Sequence, residues 1–450
     1  MERVKVCKFG GTSMANATTI RQVAEIIHSD PERKFIVVSA PGKRHKDDIK
    51  VTDLLVALAD EIINNKPITK YDLIRERFVT IVKDLGLDLD IEQILNDIFL
   101  VMNEKRQYEY ILSRGEYLSA IILAKYLGYE FIDAADIIRF KATKIDYNAT
   151  NKIARSVLKT KENAVIPGFY GTNIRGEIKL FTRGGSDVSG ALIARAVWAK
   201  VYENWSDTDG FLMCDPRIVE KPKLIEAMSY KELRSLSFMG ASILHSDTFY
   251  PVSKLNIPIN ARNTFNPSCQ GTFIYDYVPQ SKSKEIVTGI AGLKNFTLVI
   301  LEKELMDEMP GYDRKVLSIC EKLGINVEHF PSGTDTFSLM IESKYLTGDK
   351  KDQLVNSIKK TLKPDTVEVI DNISLISIVG RNLMSNKYNM LRLFSALVNT
   401  NITLRMIDFG SSGSTNIVIG VDDIDYGYAI NAVYSEFVKG EHNLIWKAFH

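Results

Sequence analysis

The sequence predicts an α/β protein, a parallel-rich sheet sandwiched by helices and followed by two ferredoxin-like α+β domains. Three observations predict it. Apolar runs of strand length alternate with helical periodicity through the first 200 or so residues. Glycine-rich turns stand where strands hand over to helices. From residue 296 the spacing contracts into a short strand-and-helix pattern that recurs.

Taken in order, residues 3–8 read as a strand, a Gly-rich turn follows, and 18–29 read as a helix. The strand at 34–39 is apolar almost throughout, as expected where helices cover both faces of a sheet. Helical periodicity dominates from 51 to 127, including the amphipathic stretch 70–105. Strands return near 129–132, 163–166 and 177–181, and a helix at 187–199 leads into a strand at 200–205. In the tail, strands are expected at 296–301, 327–330 and 337–341, with helices at 312–323 and 350–361. The pattern then repeats, with strands at 373–379, 402–407 and 416–421 and helices at 388–399 and 425–438. Residues 275–285, polar and containing Pro279 and several lysines, read as the linker. Domains are therefore expected at 1–280, 296–365 and 370–450, the last two free to interleave.

Composition narrows the function. The 450 residues carry 57 basic and 56 acidic side chains, a formal net charge of +1. That balance argues against a global nucleic-acid-binding surface, but leaves room for a few cations around an anionic ligand. Cys7, Cys214, Cys269 and Cys320 lie far apart with no C-x-x-C pair, so they read as reduced thiols. The six histidines form no H-x-x-x-H pattern, and no metal-ligand set is expected. No apolar run approaches the roughly 18 residues that span a bilayer, and the chain opens directly on a strand. A cytoplasmic protein with no membrane partner is expected.

The strongest local signal is Lys8-Phe9-Gly10-Gly11-Thr12-Ser13, between the first strand and a helix. Two glycines let backbone N–H groups approach a phosphate, the helix dipole points the same way, and Lys8 supplies a cation. It differs from the Walker loop because the lysine precedes the glycines. A second turn, Thr182-Arg183-Gly184-Gly185-Ser186-Asp187, would build the other wall of a cradle at the carboxyl edge of the sheet. Arg183 offers a planar fork for a carboxylate. Asp187 reads either as a helix N-cap or as a partner for an amino group or metal. Trp205-Ser206-Asp207-Thr208-Asp209-Gly210 and Cys214-Asp215-Pro216-Arg217 follow a strand, where Asx turns are the plain alternative. Ser113-Arg114-Gly115-Glu116 reads as a helix opening after a polar break, with Glu116 in a first turn.

At these motifs the sequence resembles the aspartate kinases of the amino-acid kinase superfamily. K-F-G-G-T-S, S-x-G-E, Pro167-Gly168-Phe169-Tyr170-Gly171, R-G-G-S-D and the S-D-x-x-G…D-P-R stretch stand in that family's order. The resemblance continues through Met239–His245 and Ile257–Asn260 and into the tail, which is similar to the family's paired ACT domains. Val38-Ser39-Ala40-Pro41-Gly42-Lys43, followed by Val51-Thr52-Asp53, is similar to the monofunctional, lysine-responsive branch.

The resemblance implies ATP as cofactor and L-aspartate as substrate; magnesium is expected from the chemistry, since it travels with ATP. It implies that Lys8 and Asp187 are catalytic and that Ser39, Thr52, Glu116 and Arg183 bind aspartate. Gly10, Gly11, Ser186, Ser206, Asp207, Leu212 and Arg217 would line the nucleotide. Ser242 stands where many relatives have lysine, and Leu212 where many have an aromatic residue. An amino-acid effector, lysine with threonine as a second candidate, would bind at Met309, Gly311, Tyr312 and Asp313. Asn326, Val327, Glu328, Ser332, Gly333, Thr334 and Asp335 would face that loop. On the plain alternative Asp313 caps a helix and Glu328 is a solvated strand charge. A homodimer through the ACT edges, or a tetramer, is implied. A sibling kinase would lack the tandem tail and R-G-G-S-D; a non-catalytic sensor would lose Lys8 or Asp187.

Overall fold

The computed structural model describes residues 4–440 except 183, 242–243, 245, 283–284, 385, 387, 399 and 410–414. Arg183 and Ser242 thus lie outside the described residues. The chain groups into two compact units. One holds 1–211, 224–233 and 243–283, and the other holds 212–223, 234–242 and 284–450.

In the first unit the strands are β1 (Lys5–Phe9), β2 (Arg33–Val38), β3 (Glu130–Phe131), β4 (Phe140–Lys141), β5 (Lys144–Ile145) and β6 (Ala164–Pro167). They continue with β7 (Tyr170–Thr172), β8 (Ile178–Leu180), β9 (Val201–Ser206), β10 (Ala227–Ser229), β11 (Ile259–Asn263) and β12 (Thr272–Tyr275). Eight form one sheet in the order β10-β12-β11-β9-β1-β2-β6-β3, parallel except where β11 meets β12. The sheet is parallel-rich as expected, but the strand expected at 177–181 does not join it. β8 pairs only with β7, in a separate antiparallel hairpin. Its three residues are all only half-buried, whereas the central strands are almost wholly covered. The stretch 206–295 carried no expected elements because β10 to β12 are short and include polar Asn260 and Arg262.

The helices are α1 (Ala17–His28), α2 (Val51–Ile63), α3 (Tyr71–Leu85), α4 (Ile91–Lys105), α5 (Tyr108–Leu127), α6 (Ala134–Ile137), α7 (Tyr147–Leu158) and α8 (Gly185–Val197). α9 (Tyr230–Phe238), divided between the units, and α10 (Ser246–Ser253) complete the set. Their ends follow local chemistry. Asn16 and Thr19 form a capping box on α1, Asp90 caps α4, and Gly86 and Gly128 close α3 and α5 in the left-handed region. α1 to α5 share one apolar core with β1 and β2, including Phe9, Ile36, Leu55, Phe78 and Ile122.

The second unit contains β13 (Gly289–Glu302), α11 (Tyr312–Lys322), β14 (Thr336–Glu342), α12 (Lys350–Leu362) and β15 (Thr366–Val379). α13 (Tyr388–Val398), β16 (Leu404–Asp408), β17 (Asn416–Asp422) and α14 (Tyr426–Tyr434) follow. They form a single antiparallel sheet, β14-β13-β15-β17-β16. β13 and β15, 14 residues each, pair along their length, with a register shift between Leu293 and Phe296. One half of each strand serves each ferredoxin-like half. Residues 327–330 form no regular strand; single bridges join His329 to Met340 and Ser332 to Phe337. Pro331 and Gly333 interrupt the ladder there. Among the described residues no helix is long and apolar enough to cross a membrane.

Candidate active site

β1 and β9 lie side by side in parallel, with Lys8 opposite Asn204 and Cys7 opposite Glu203. Because side chains alternate along a strand, Lys8 and Asn204 share one face. The Lys8 ammonium is nearly buried and sits 2.6 Å from Asp187 Oδ1, near the start of α8. Asn204 Nδ2 donates to the same oxygen at 3.1 Å, and the Tyr202 hydroxyl donates to the Asp187 carbonyl at 2.9 Å. Asp187 does not cap its helix. Gly184 holds the N-cap position at φ +55° with no side-chain cap, and the carboxylate turns to Lys8 instead.

The two glycine turns close in on this pair. Gly10 N–H donates to the Trp205 carbonyl at 3.0 Å, which fixes the first turn to β9. A Cβ on Gly10 would lie 3.7 Å from Lys8 Nζ, so the turn passes beside the ammonium. Against the second turn, a Cβ on Gly168, just after β6, would fall 2.6 Å from the Ser186 side chain. Only glycine at 168 lets the end of β6 approach the buried start of α8 so closely.

Glu116 corrects one expectation. It lies in the middle of α5 rather than in a first turn, because the polar triplet before it does not break the helix. Ser113 Oγ donates back to the Tyr110 carbonyl at 2.7 Å. The Arg114 guanidinium lies 4.5 Å over Tyr110, 4.3 Å over Tyr117 and 5.5 Å over Tyr170. Glu116 is 3% exposed, and its Oε2 has no hydrogen-bond partner. Burial pushes its carboxyl from 4.5 up to about 8, against the pull of the Ala40 backbone N–H and of Arg114 and Lys8. A buried, unsatisfied carboxyl beside a cation is the kind of group that a ligand ammonium would complete.

The remaining positions are less convergent. Thr52 lies in the first turn of α2 and Ser39 just after β2, where its N–H donates to the Phe9 carbonyl at 3.1 Å. Ser206 Oγ shares a 3.2 Å hydrogen bond with Thr208, and Asp207 is exposed. Leu212 is 40% exposed and, with Arg217, belongs to the second unit. Arg217 folds onto Asp215, with its N–H on Asp215 Oδ1 at 2.8 Å and its guanidinium 2.6 Å from Oδ2. That is the Asx turn of the plain alternative. Asn204 was not foreseen. The signal was present, since two consecutive polar residues inside a buried central strand are costly without partners.

In the second unit, Gly311 holds the N-cap of α11 at φ +76°, so Asp313 lies past the cap, in the first turn. Tyr312 is buried and its hydroxyl has no partner, while Met309 is partly exposed. Asn326 donates to Glu328 at 2.8 Å, and Asp335 accepts from the Leu305 N–H at 3.0 Å. Val327 is half-buried and Thr334 exposed; Ser332 bridges to Phe337, and Gly333 N–H donates to the Thr336 carbonyl at 2.7 Å.

A parallel sheet whose carboxyl edge gathers two glycine turns, a buried lysine and a carboxylate defines a phosphoryl-transfer enzyme of the amino acid kinase class. The amino acid kinase family model matches residues 3–262, and an ACT domain model matches 376–437. Aspartokinase 3 of Bacillus subtilis is 32% identical over 97% of this chain and 99% of its own length. The crystal structure of Clostridium acetobutylicum aspartate kinase superposes with TM-score 0.87 at 42% identity, covering 97% of this chain and all of that one. Escherichia coli aspartokinase III, in complex with lysine and aspartate, shares the fold at TM-score 0.71 and 24% identity, covering 97% of this chain and 99% of that one. The chain belongs to the aspartokinase family, and it is a kinase.

Proposed function

We propose that the enzyme transfers the γ-phosphoryl group of ATP to the side-chain carboxylate of L-aspartate, giving 4-phospho-L-aspartate. The observation that carries this is the Lys8–Asp187–Asn204 cluster with the buried Glu116 carboxyl, one oxygen of which has no partner, within reach of the Lys8 charge. The acceptor has a reference pKa near 4, so it is already ionised and needs no general base. One carboxylate oxygen forms the new bond to phosphorus, the bond to the bridging oxygen breaks, and ADP leaves with the electron pair. The obstacle is repulsion between anions, which Lys8 and the backbone N–H groups of the turns reduce.

The residues fit a polyphosphate in offering a nearly buried ammonium between glycine turns. Among the described residues no three His, Cys, Asp or Glu side chains gather to hold a metal. A magnesium ion would neutralise phosphate charge and take its ligands chiefly from nucleotide and water. Glu116 would receive the substrate ammonium, Arg183 a carboxylate, and Ser39 and Thr52 the rest of aspartate. Gly10, Gly11, Ser186, Ser206 and Asp207 would attend the nucleotide.

Supplying phosphoaspartate places the enzyme ahead of lysine, threonine and methionine synthesis, with lysine as the expected feedback inhibitor. The Escherichia coli relative solved with lysine supports that choice. In this chain the buried, unpartnered Tyr312 hydroxyl beside Met309 and Asp313 supports an effector contact there. A cytoplasmic homodimer through the ACT edges, with a tetramer as the alternative, completes the proposal. A hydroxamate assay, which traps an acyl phosphate, should give product with aspartate and ATP and less as lysine is added. Product from another acid in preference to aspartate would overturn the substrate, and indifference to lysine the effector. Arg183→Lys should raise KM for aspartate several-fold, since an ammonium cannot reproduce the guanidinium fork.

A further inference from the structure

The segment 39–50, between β2 and α2, touches both halves of the proposed site. Its Gly42 N–H donates to the Gly11 carbonyl at 2.7 Å, and a Cβ on Gly42 would fall 2.6 Å from the Gly11 carbonyl carbon. On its other side, the Ala40 backbone N–H faces Glu116, and a Cβ on Gly115 would meet the Ala40 side chain at 2.7 Å. The segment ends at the first turn of α2, where Thr52 stands. Whatever fixes it fixes the glycine turn, Ala40 and Thr52 relative to one another.

Arg77, on α3, does the fixing from behind. It is 3% exposed, and every hydrogen bond described for its guanidinium goes to this segment. One nitrogen donates to the Gly42 carbonyl at 2.9 Å; the other donates to Asp48 Oδ2 at 2.7 Å and to the Ile49 carbonyl at 3.2 Å. Asp48, 9% exposed, also takes the Arg44 backbone N–H at 2.8 Å and the Arg44 guanidinium at 3.0 Å. Arg44, foremost, holds the Asp48 carboxyl well below the usual carboxylate range, with Arg77 adding to the effect. The brace therefore stays charged across neutral pH. A solvated surface pair would not reach the peptide that packs on Gly11.

We infer that Arg77, clamped to Asp48, is a positioning residue for phosphoryl transfer, holding the Gly42 peptide against Gly11 so that the first glycine turn and the aspartate end stay in register. The inference rests on the site proposed above. A displacement of about 1 Å in such a site costs up to about a hundredfold in rate. Ground-state binding suffers less, because many other contacts hold the substrates.

The test is steady-state kinetics on the full chain with Arg77→Lys and Asp48→Asn, beside thermal melts and Lys8→Ala as reference. Arg77→Lys should lower kcat about ten- to a hundredfold, with KM for ATP and for aspartate changed less than about threefold. Asp48→Asn should lower kcat in the same direction by less, because the carboxamide keeps one acceptor. Folded variants with wild-type kcat, or with raised KM at unchanged kcat, overturn the inference. If Arg77→Lys fails to fold, Asp48→Asn decides; if both lose the fold, Arg77 is structural only and the inference falls. Loss of kcat in Lys8→Ala with full activity in Arg77→Lys overturns the brace alone, whereas an active Lys8→Ala overturns the site beneath it.

Discussion

The two faces of β1 and β9 carry two buried charge clusters that differ in completeness. On one face Glu203, 2% exposed, receives Arg33 Nε at 2.8 Å, the Trp205 indole N–H at 2.9 Å and the Cys7 thiol at 3.4 Å. Arg262 and Lys5 stand 3.9 and 3.8 Å away, and the Arg33 and Arg262 guanidiniums cover the Trp205 ring. Every carboxylate oxygen there has donors. On the other face Lys8 holds Asp187, which keeps some exposure, and the nearby Glu116 has an oxygen with none. Both faces bring a carboxylate against a nearly buried cation, so that pairing alone does not single out the site. What differs is the satisfaction of the carboxylates: both Glu203 oxygens have donors, although Arg262 Nε on that face has no partner, whereas a Glu116 oxygen is left open to a ligand.

Lys8→Ala probes the open cluster and should have the largest effect. It should lower kcat by about a thousandfold or more, with melting temperature and circular dichroism near wild type. A variant retaining a tenth of wild-type kcat would show that the open cluster is not where charge is neutralised. Glu203→Leu probes the closed cluster in the opposite sense. Removing one partner of a buried set leaves Arg33 uncompensated, at a cost of about 3–5 kcal/mol of stability. Its chemical denaturation midpoint should fall well below wild type, with kcat per folded molecule near normal. A midpoint unchanged within error would mean that the closed cluster is not structural.

The sequence displayed much of this unevenly. The apolar runs of β1 and β2, the first glycine turn and the helical periodicity up to residue 127 were legible because each obeys local rules of run length, period and turn chemistry. Glu116 was legible as a residue but not in its setting. The polar triplet before it looks like a helix start, whereas in the fold the helix runs on through it, with three tyrosine rings around Arg114. β8 had the composition of a sheet strand, but pairing partners are a long-range property that no local pattern carries. The same is true of Asn204 and of Arg77, whose partners lie 17 and as many as 35 residues away in sequence. In the tail, the repeat was visible while the sharing of β13 and β15 between its halves was not, since only 296–301 and 373–379, one half of each 14-residue strand, read as strand.

Glu116 offers the subtlest separation of the two clusters, through pH. Burial raises its carboxyl to about 8 in the folded enzyme, from 4.5 in the unfolded chain. A group whose folded pKa is raised contributes its full stability below the unfolded value and loses it as pH climbs through the folded one. Between pH 4.5 and 8 the folded chain keeps a proton that the unfolded chain has released, so stability falls by on the order of 1.4 kcal/mol per pH unit from this group. Glu116→Gln removes that titration while keeping the shape. The variant's melting temperature should therefore gain on wild type as pH rises from 5.5 to 7.5, by a few degrees for a chain of this size. Saturating aspartate should erase the gain, because the substrate ammonium would hold Glu116 ionised and supply its missing partner. A gap between the two proteins that stays constant with pH would mean that Glu116 is already ionised in the empty enzyme. The open cluster would then owe its charge balance to Lys8 alone, and the aspartate ammonium would have to bind without displacing a proton.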